Sequence, residues 1–195
     1  MWHTIPTGQW FTSDDGQRWW FDTGSLALDF AYAGGFGDGP QTLHTPTQLS
    51  TWLAGRFPEV DADVSERDLA DGRALQRAIA AISVAVSVDG APAAEDVDVV
   101  NLFAATADIP PALAGGSRQA GRSRARAGQA FSAMAREAIE VFSAENAERV
   151  RECSAEDCHL VFYDESRSNN RRWCSMQRCG NRAKVRAHRS RAAAT

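Results

Sequence analysis

Hydrophobic positions along the chain change their period several times, and each change marks a predicted element. Gln9-Trp10-Phe11-Thr12 and Arg18-Trp19-Trp20-Phe21 are short runs of strand-forming aromatics around a turn at Asp15-Gly16, which predicts a β-hairpin. Ser25 to Ala33 reads two ways. Leu26, Leu28, Phe30 and Tyr32 alternate as on a strand, whereas Leu26, Phe30 and Ala33 suit a short helix, and Gly34-Gly35 ends the segment in either case. Helical spacing dominates from there. Thr45-Pro46 reads as an N-cap with proline at the first helical position, and Leu49, Trp52 and Leu53 give the apolar face. Ser65 predicts the start of a longer helix, with Glu66 and Asp68 at its positive end, Leu75, Ile79, Ile82 and Val86 as its buried stripe, and Asp89-Gly90 as its stop. A further helix from about Ala94 to Ala107 would bury Val97, Val100 and Ala104 before Pro110-Pro111 ends it. Residues 112–128, with Gly115-Gly116, Gly121 and Gly128, predict an irregular segment in which Arg122, Arg124 and Arg126 alternate as on one strand face. The last helix of this half, about Gln129 to Glu145, places Phe131, Met134, Ala138, Val141 and Phe142 on one side.

Beyond it the pattern is set by cysteine. All four cysteines lie in two knuckles of equal spacing, Cys153-Ser-Ala-Glu-Asp-Cys158 and Cys174-Ser-Met-Gln-Arg-Cys179. Four thiolates so arranged can surround one tetrahedral Zn2+, two from each knuckle, and a shell closed by four cysteines is structural, because a catalytic zinc keeps a position open for water. Two disulfides are the rival reading, and they need an oxidising compartment. Met1-Trp-His-Thr-Ile-Pro-Thr-Gly has neither a basic nor an apolar region of an export leader, so the expectation is a cytoplasmic protein with reduced thiols. His159, next to Cys158, is a spare ligand that a complete shell does not need.

Within this module Leu160-Val161-Phe162-Tyr163 is a β-type run, Ser166 to Asn170 is turn-rich, and Arg171-Arg172-Trp173 is expected to return as its partner strand. Gly180 would let the backbone approach the metal closely, and Asn181 to Arg191 has helical composition. On that helix Cys179 and Ala183 would face the metal, while Arg178, Arg182, Arg186 and Arg189 form an adjoining stripe. The expected fold class is mainly α with small β elements (α+β): a helical domain with a β-hairpin over residues 1–145, and a four-cysteine zinc module with a hairpin and a basic helix over 146–195.

Charge sharpens that division. Residues 1–145 carry 10 basic and 19 acidic side chains, and residues 146–195 carry 11 basic and 6 acidic, so a net charge of −4 combines −9 with +5. With four thiolates and one Zn2+ the module would remain at +5 − 4 + 2 = +3. Such asymmetry suits either a polyanion partner or an internal clamp of the basic module on the acidic domain. No apolar run is long enough to span a membrane. Catalytic patterns are also missing: the histidines His3, His44, His159 and His188 are scattered, and there is no Gly-x-Ser-x-Gly elbow, phosphate loop or H-E-x-x-H. Asp22 and Asp29 read as cap and surface charge. A non-enzymatic protein is expected.

Arg171-Arg172-Trp173-Cys174-Ser175-Met176, followed by Cys179-Gly180-Asn181-Arg182 and Lys184, resembles the signature of the CGNR zinc-finger family. Proteins of that family usually carry an amino-terminal helical ABATE domain, described as a stress-induced transcription regulator. Leu26-Ala-Leu-Asp-Phe30 and the order of helices resemble that arrangement, with Tyr32-Ala33 where Asn-Thr is usual. The resemblance implies that Cys153, Cys158, Cys174 and Cys179 are the zinc ligands and that the module binds DNA. Candidate nucleic-acid contacts are then Arg171, Arg172, Arg178, Arg182, Lys184, Arg186 and Arg189. The implied protein is a stress-responsive DNA-binding regulator whose helical domain senses a small-molecule effector or forms a homodimer. The alternative is a zinc-stapled protein-interaction or ligand-sensing protein that does not bind DNA.

Overall fold

The computed structural model describes residues 5–12, 16–33, 43–61, 63–111 and 124–193. Asp15 of the first predicted turn, Gly34-Gly35 and most of the segment predicted to be irregular lie outside these. Among the described residues the chain forms β1 (Gln9–Thr12), β2 (Arg18–Phe21), α1 (Leu26–Ala33), α2 (Pro46–Ala54), α3 (Glu66–Ser87), α4 (Ala94–Ala104), α5 (Ala127–Val141), β3 (Val150–Glu152), β4 (Val161–Tyr163) and α6 (Asn181–Ala193). The mainly helical α+β class is as expected.

Local chemistry explains most of the boundaries. Thr45 Oγ1 accepts the Gln48 N–H at 3.3 Å while Gln48 Oε1 accepts the Thr45 N–H at 3.1 Å, a capping box that starts α2. Ser65 and Asp68 repeat the arrangement at α3, which runs until Asp89 turns at φ 56°. β1 pairs antiparallel with β2, Trp10 opposite Trp20 and Phe11 opposite Trp19, as the aromatic runs predict.

The ambiguous segment is helical, and every residue of α1 is buried. An eight-residue helix whose one charged residue is Asp29 and whose other side chains are apolar or aromatic must lie inside the bundle, and it packs against α3, α5 and β4. Phe30 stacks against Trp52 and Phe131 at ring separations of 5.1 and 5.8 Å. A buried helix end needs partners for its free backbone groups. Glu137 on α5 supplies them at the start, its two carboxylate oxygens accepting the Leu26 and Ala27 N–H groups at 3.0 and 2.8 Å. Gln76 on α3 donates to the Phe30 carbonyl at 2.7 Å near the other end.

Two expectations are corrected here. α4 packs on α3 and α5 through Val100, with Ala104 partly buried, and leaves Val97 exposed. The segment before α5 keeps the expected alternation where it is described: Ala125 is buried in a parallel bridge with Val60, and Arg124 and Arg126 are exposed on either side, Arg124 pairing with Asp61 at 3.4 Å, while Arg122 lies outside the described residues. The strand opposite β4 is β3, not Arg171-Arg172-Trp173: Val150, Arg151 and Glu152 face Tyr163, Phe162 and Val161. The first cysteine knuckle is therefore the loop of this hairpin.

Two segments distant in sequence close around one core. Phe11, Trp19 and Phe21 of the first hairpin, with Tyr32 of α1, pack into one cluster with all four cysteines, Leu160 and Phe162. Tyr32 reaches across so that its Oη donates to the Val161 carbonyl at 3.1 Å and accepts the Val161 N–H, and Tyr163 N–H donates to the Thr23 carbonyl at 2.7 Å. Gly24 makes this approach feasible. Its φ is 72°, and a Cβ there would stand 2.3 Å from the Tyr163 carbonyl oxygen.

Candidate metal centre and basic helix

Backbone hydrogen bonds within the chain hold both knuckles in place. Cys153 N–H donates to the Leu160 carbonyl at 2.9 Å, closing the β3–β4 loop, and Cys158 N–H donates to the Ala155 carbonyl at 3.0 Å. The second knuckle occupies a wide helical turn, Met176–Gly180, with Gly180 N–H donating to the Ser175 carbonyl at 3.0 Å, and it runs directly into α6. Ser154 N–H to the Arg172 carbonyl at 2.9 Å and Cys174 N–H to Cys153 Sγ at 3.4 Å tie the two together. Side chains crowd the backbone at Gly180: a Cβ there would meet Met176 Sδ at 2.7 Å and Trp173 at 3.4 Å.

The four sulfurs converge within 4.8 Å of one another, all buried. Cys158 to Cys174 is 3.7 Å and Cys174 to Cys179 is 3.5 Å. A tetrahedron with Zn–S of about 2.3 Å has edges of roughly 3.8 Å, so the donor set fits zinc in kind and in span. None of the four is in a disulfide. Four crowded sulfurs do not ionise alike. Hydrogen bonds from Cys153, Cys158 and Cys174, and then the Arg182 guanidinium, hold Cys179 far below the usual thiol range. Contact with Cys153 is the largest cause pushing Cys158 and Cys174 the other way. A dication at the centre favours thiolate at every position, which is why such sites couple metal binding to proton release. His159 is not a ligand: its side chain is 84% exposed and its Nδ1 lies 2.6 Å from Glu152 Oε1.

The seven basic candidates divide into two groups. Arg171, Arg178 and Arg182 are half-buried and held inside the protein. The Arg171 guanidinium lies over the Phe162 ring at 4.2 Å, and it donates to the carbonyls of Trp173 at 3.1 Å, Asp22 at 2.7 Å and Cys174. Arg178 lies over Trp19 at 4.7 Å. Arg182 pairs with Asp157 at 2.7 Å and donates to Cys179 Sγ at 3.2 Å, tying α6 to the first knuckle. Arg172, Lys184, Arg186 and Arg189 are exposed, as is every side chain from Lys184 to Ala192. Arg186 comes within 3.9 Å of Asp157.

Several contributors escape a reading by motif. Asp157 lies inside the first knuckle with no signal of its ion pair. Asp164 is fully buried and accepts the Ser166 and Arg171 N–H groups at 2.9 and 2.7 Å; burial opposes its charge, yet these bonds hold its carboxyl below the usual range. The Tyr32-Ala33 departure in the first half was the one available sign that α1 meets the zinc module.

Residues 149–192 match the family described as CGNR zinc finger, and residues 24–145 match ABATE, described as putative stress-induced transcription regulator. No curated protein matches the chain. The first hairpin, which covers the metal centre, precedes both matched segments. With more than half of its length matched, and with four buried cysteine sulfurs gathered where a CGNR finger holds its metal, the chain belongs to the ABATE family and carries a CGNR zinc finger whose Cys153, Cys158, Cys174 and Cys179 form a zinc-binding site.

Proposed function

We propose that this protein is a non-catalytic, cytoplasmic DNA-binding transcription regulator of a stress response, in which α6 is the element that meets DNA. The observation that carries this reading is the exposure of Lys184, Arg186 and Arg189 on a helix without one acidic residue. An internal clamp on the acidic helical segment would bury those cations. Instead, the acid that pairs with the stripe is Asp157 of the knuckle itself. The two groups of arginines then have separate roles. Arg171, Arg178 and Arg182 fix the helix on the metal centre, and Lys184, Arg186 and Arg189 offer charge to phosphates. Zinc contributes by holding the start of α6 rigidly against the β3–β4 loop.

The test is the salt dependence of binding to duplex DNA. Each phosphate neutralised should contribute about 0.9 to the slope of log K against log salt, so replacing Lys184, Arg186 and Arg189 by Ala should flatten it by roughly 3 while zinc content stays constant. An unaltered slope would show that α6 does not face the backbone. No DNA affinity at low salt would favour a zinc-stapled protein-interaction or ligand-sensing protein that does not bind DNA. Among the described residues no helix is long and apolar enough to cross a membrane.

A further inference from the structure

A cavity of about 620 Å³ opens where the helical segment meets the zinc module. That size is typical of small-molecule sites. Ile5, Leu26 and Val141 give it an apolar wall, with Ala133 of α5 and the Tyr163 ring beside them. Four carboxylates also line it: Asp22 from the β2–α1 connection, Glu137 and Glu140 from α5, and Glu165 from the residues after β4. None of the four is in an ion pair among the described residues. Arg136 lines the cavity too, but its guanidinium is turned to Ser132 Oγ at 3.3 Å and to the Thr106 carbonyl at 3.2 Å.

Arg171 offsets part of this negative charge, its guanidinium donating to the Asp22 carbonyl at 2.7 Å and attracting Asp22 and Glu165 without forming an ion pair with either, so four carboxylates still outnumber the cations around the space. Burial, with Glu140 repelling Glu137 and Asp22 repelling Glu165, pushes both glutamates above the usual carboxylate range. A metal ion does not suit the site, because among the described residues the four cysteines are the only ligand atoms gathered closely enough to hold one. Carboxylates spread around an apolar wall match positive charges spaced along a hydrocarbon chain. We propose that this cavity binds an aliphatic di- or polyamine, its methylenes along Ile5, Leu26 and Val141 and its ammonium groups on Asp22, Glu140 and Glu165.

Glu137 adds field without a direct contact, since both its oxygens already cap α1. Asp22 is oriented for contact with an ammonium group, because its Oδ1 accepts the Thr7 hydroxyl at 2.7 Å and the Gly24 N–H at 2.9 Å, which leaves Oδ2 to the ligand. Its carbonyl oxygen also receives Arg171, whose guanidinium holds the Cys174 carbonyl, so a ligand on Asp22 sits one side chain away from the metal shell. The binding proposal does not depend on the DNA reading.

The test is calorimetric titration of the intact, zinc-loaded protein with spermidine and with 1,5-diaminopentane at about 0.15 M salt, where weak surface attraction is screened. Saturable one-to-one binding is expected for at least one amine and none for 1,5-pentanediol. Two variants separate cavity from surface charge. Glu140→Gln with Glu165→Gln removes charge, and Ala133→Phe fills the space while leaving every carboxylate; each should weaken binding by at least about tenfold, on the scale of one lost charge-assisted hydrogen bond. Absence of saturable binding by either amine overturns the proposal, as does affinity that survives Ala133→Phe in folded, zinc-loaded protein. If that variant fails to fold, the double glutamine variant decides, and unchanged affinity there overturns it.

Discussion

Two residues show how far burial changes a side chain's role. Asp29, which the sequence presents as a surface charge, is wholly buried on α1, with Oδ2 accepting the Gly8 N–H and Oδ1 within 2.7 Å of Thr23 Oγ1. Thr23 has one hydroxyl hydrogen and two acceptors for it, since the Ser25 carbonyl stands at 2.6 Å. A proton on Asp29 Oδ1 resolves that conflict by letting the carboxyl donate to Thr23. Burial, only partly offset by Thr23, Gly8 and Arg56, raises Asp29 to about 7. A carboxyl raised on folding gives stability that is complete below its unfolded value of about 4 and is lost as pH rises through about 7. Asp29→Asn keeps one acceptor and one donor where Gly8 and Thr23 need them, so its unfolding free energy should vary less than that of the wild type between these pH values. Equal pH dependence of the two proteins in urea titrations would refute the assignment. Arg171 is the counterpart among cations: three carbonyls and a ring surround it, and Arg171→Ala should destabilise the zinc-loaded protein by about 2–4 kcal/mol. Exposed Arg172→Ala should stay within about 0.5 kcal/mol, and denaturant midpoints compare the two.

At the level of elements, what was legible in the sequence was whatever is decided locally. The caps at Thr45 and Ser65, the stop at Asp89 and the first hairpin depend on neighbours within a few residues, and each lies where its pattern places it. The metal ligands are legible for the same reason, because a knuckle is a local spacing. Partner choice for β4 is not local. Val150–Glu152 has no stronger strand signal than Arg171–Trp173, and the choice is made by the Cys153–Leu160 loop and by Arg171, whose side chain is drawn into the protein. Of the arginine stripe, Arg182, Arg186 and Arg189 lie on α6 and Arg178 in the turn before it, and nothing local tells that Asp157 and Trp19 take up Arg182 and Arg178. From this follows a prediction for the helix. Asp157→Asn should leave the zinc shell intact, release Arg182 from its ion pair, and raise DNA affinity modestly by removing one negative charge beside the stripe. Direct titration at fixed low salt measures it, and weakened binding would show that the Asp157 pair positions α6 for DNA.

The molecule as a whole does not divide where its charge does. Matched segments and charge balance both change near residue 146, yet the aromatic cluster around the cysteines is built from both sides of that point. Trp19 and Phe21 are buried on the face of the first hairpin toward the zinc module, their rings 5.7 Å apart, and Phe21 meets Tyr32 at 5.3 Å. Ring burial of this kind contributes several kcal/mol, comparable with the whole stability of a small module. The zinc module should therefore not be self-sufficient. Expressed alone, residues 146–195 should still take up zinc through four cysteines, but they lack Phe11, Trp19, Phe21, Tyr32 and the Thr23 carbonyl that receives Tyr163. Amides of β4 should then exchange with solvent faster than in the full chain, and zinc should pass to a chelator at least about tenfold faster, the effect of losing roughly 1.4 kcal/mol of support. In the full chain the reciprocal effect should appear: Cys174→Ser, which opens the metal shell, should expose Trp19 and shift tryptophan emission to the red while the α1–α5 bundle keeps its helical signal. Equal exchange and equal chelator rates for the isolated module would show that the shared cluster is contact without support, and an unshifted emission in Cys174→Ser would show the same from the other side.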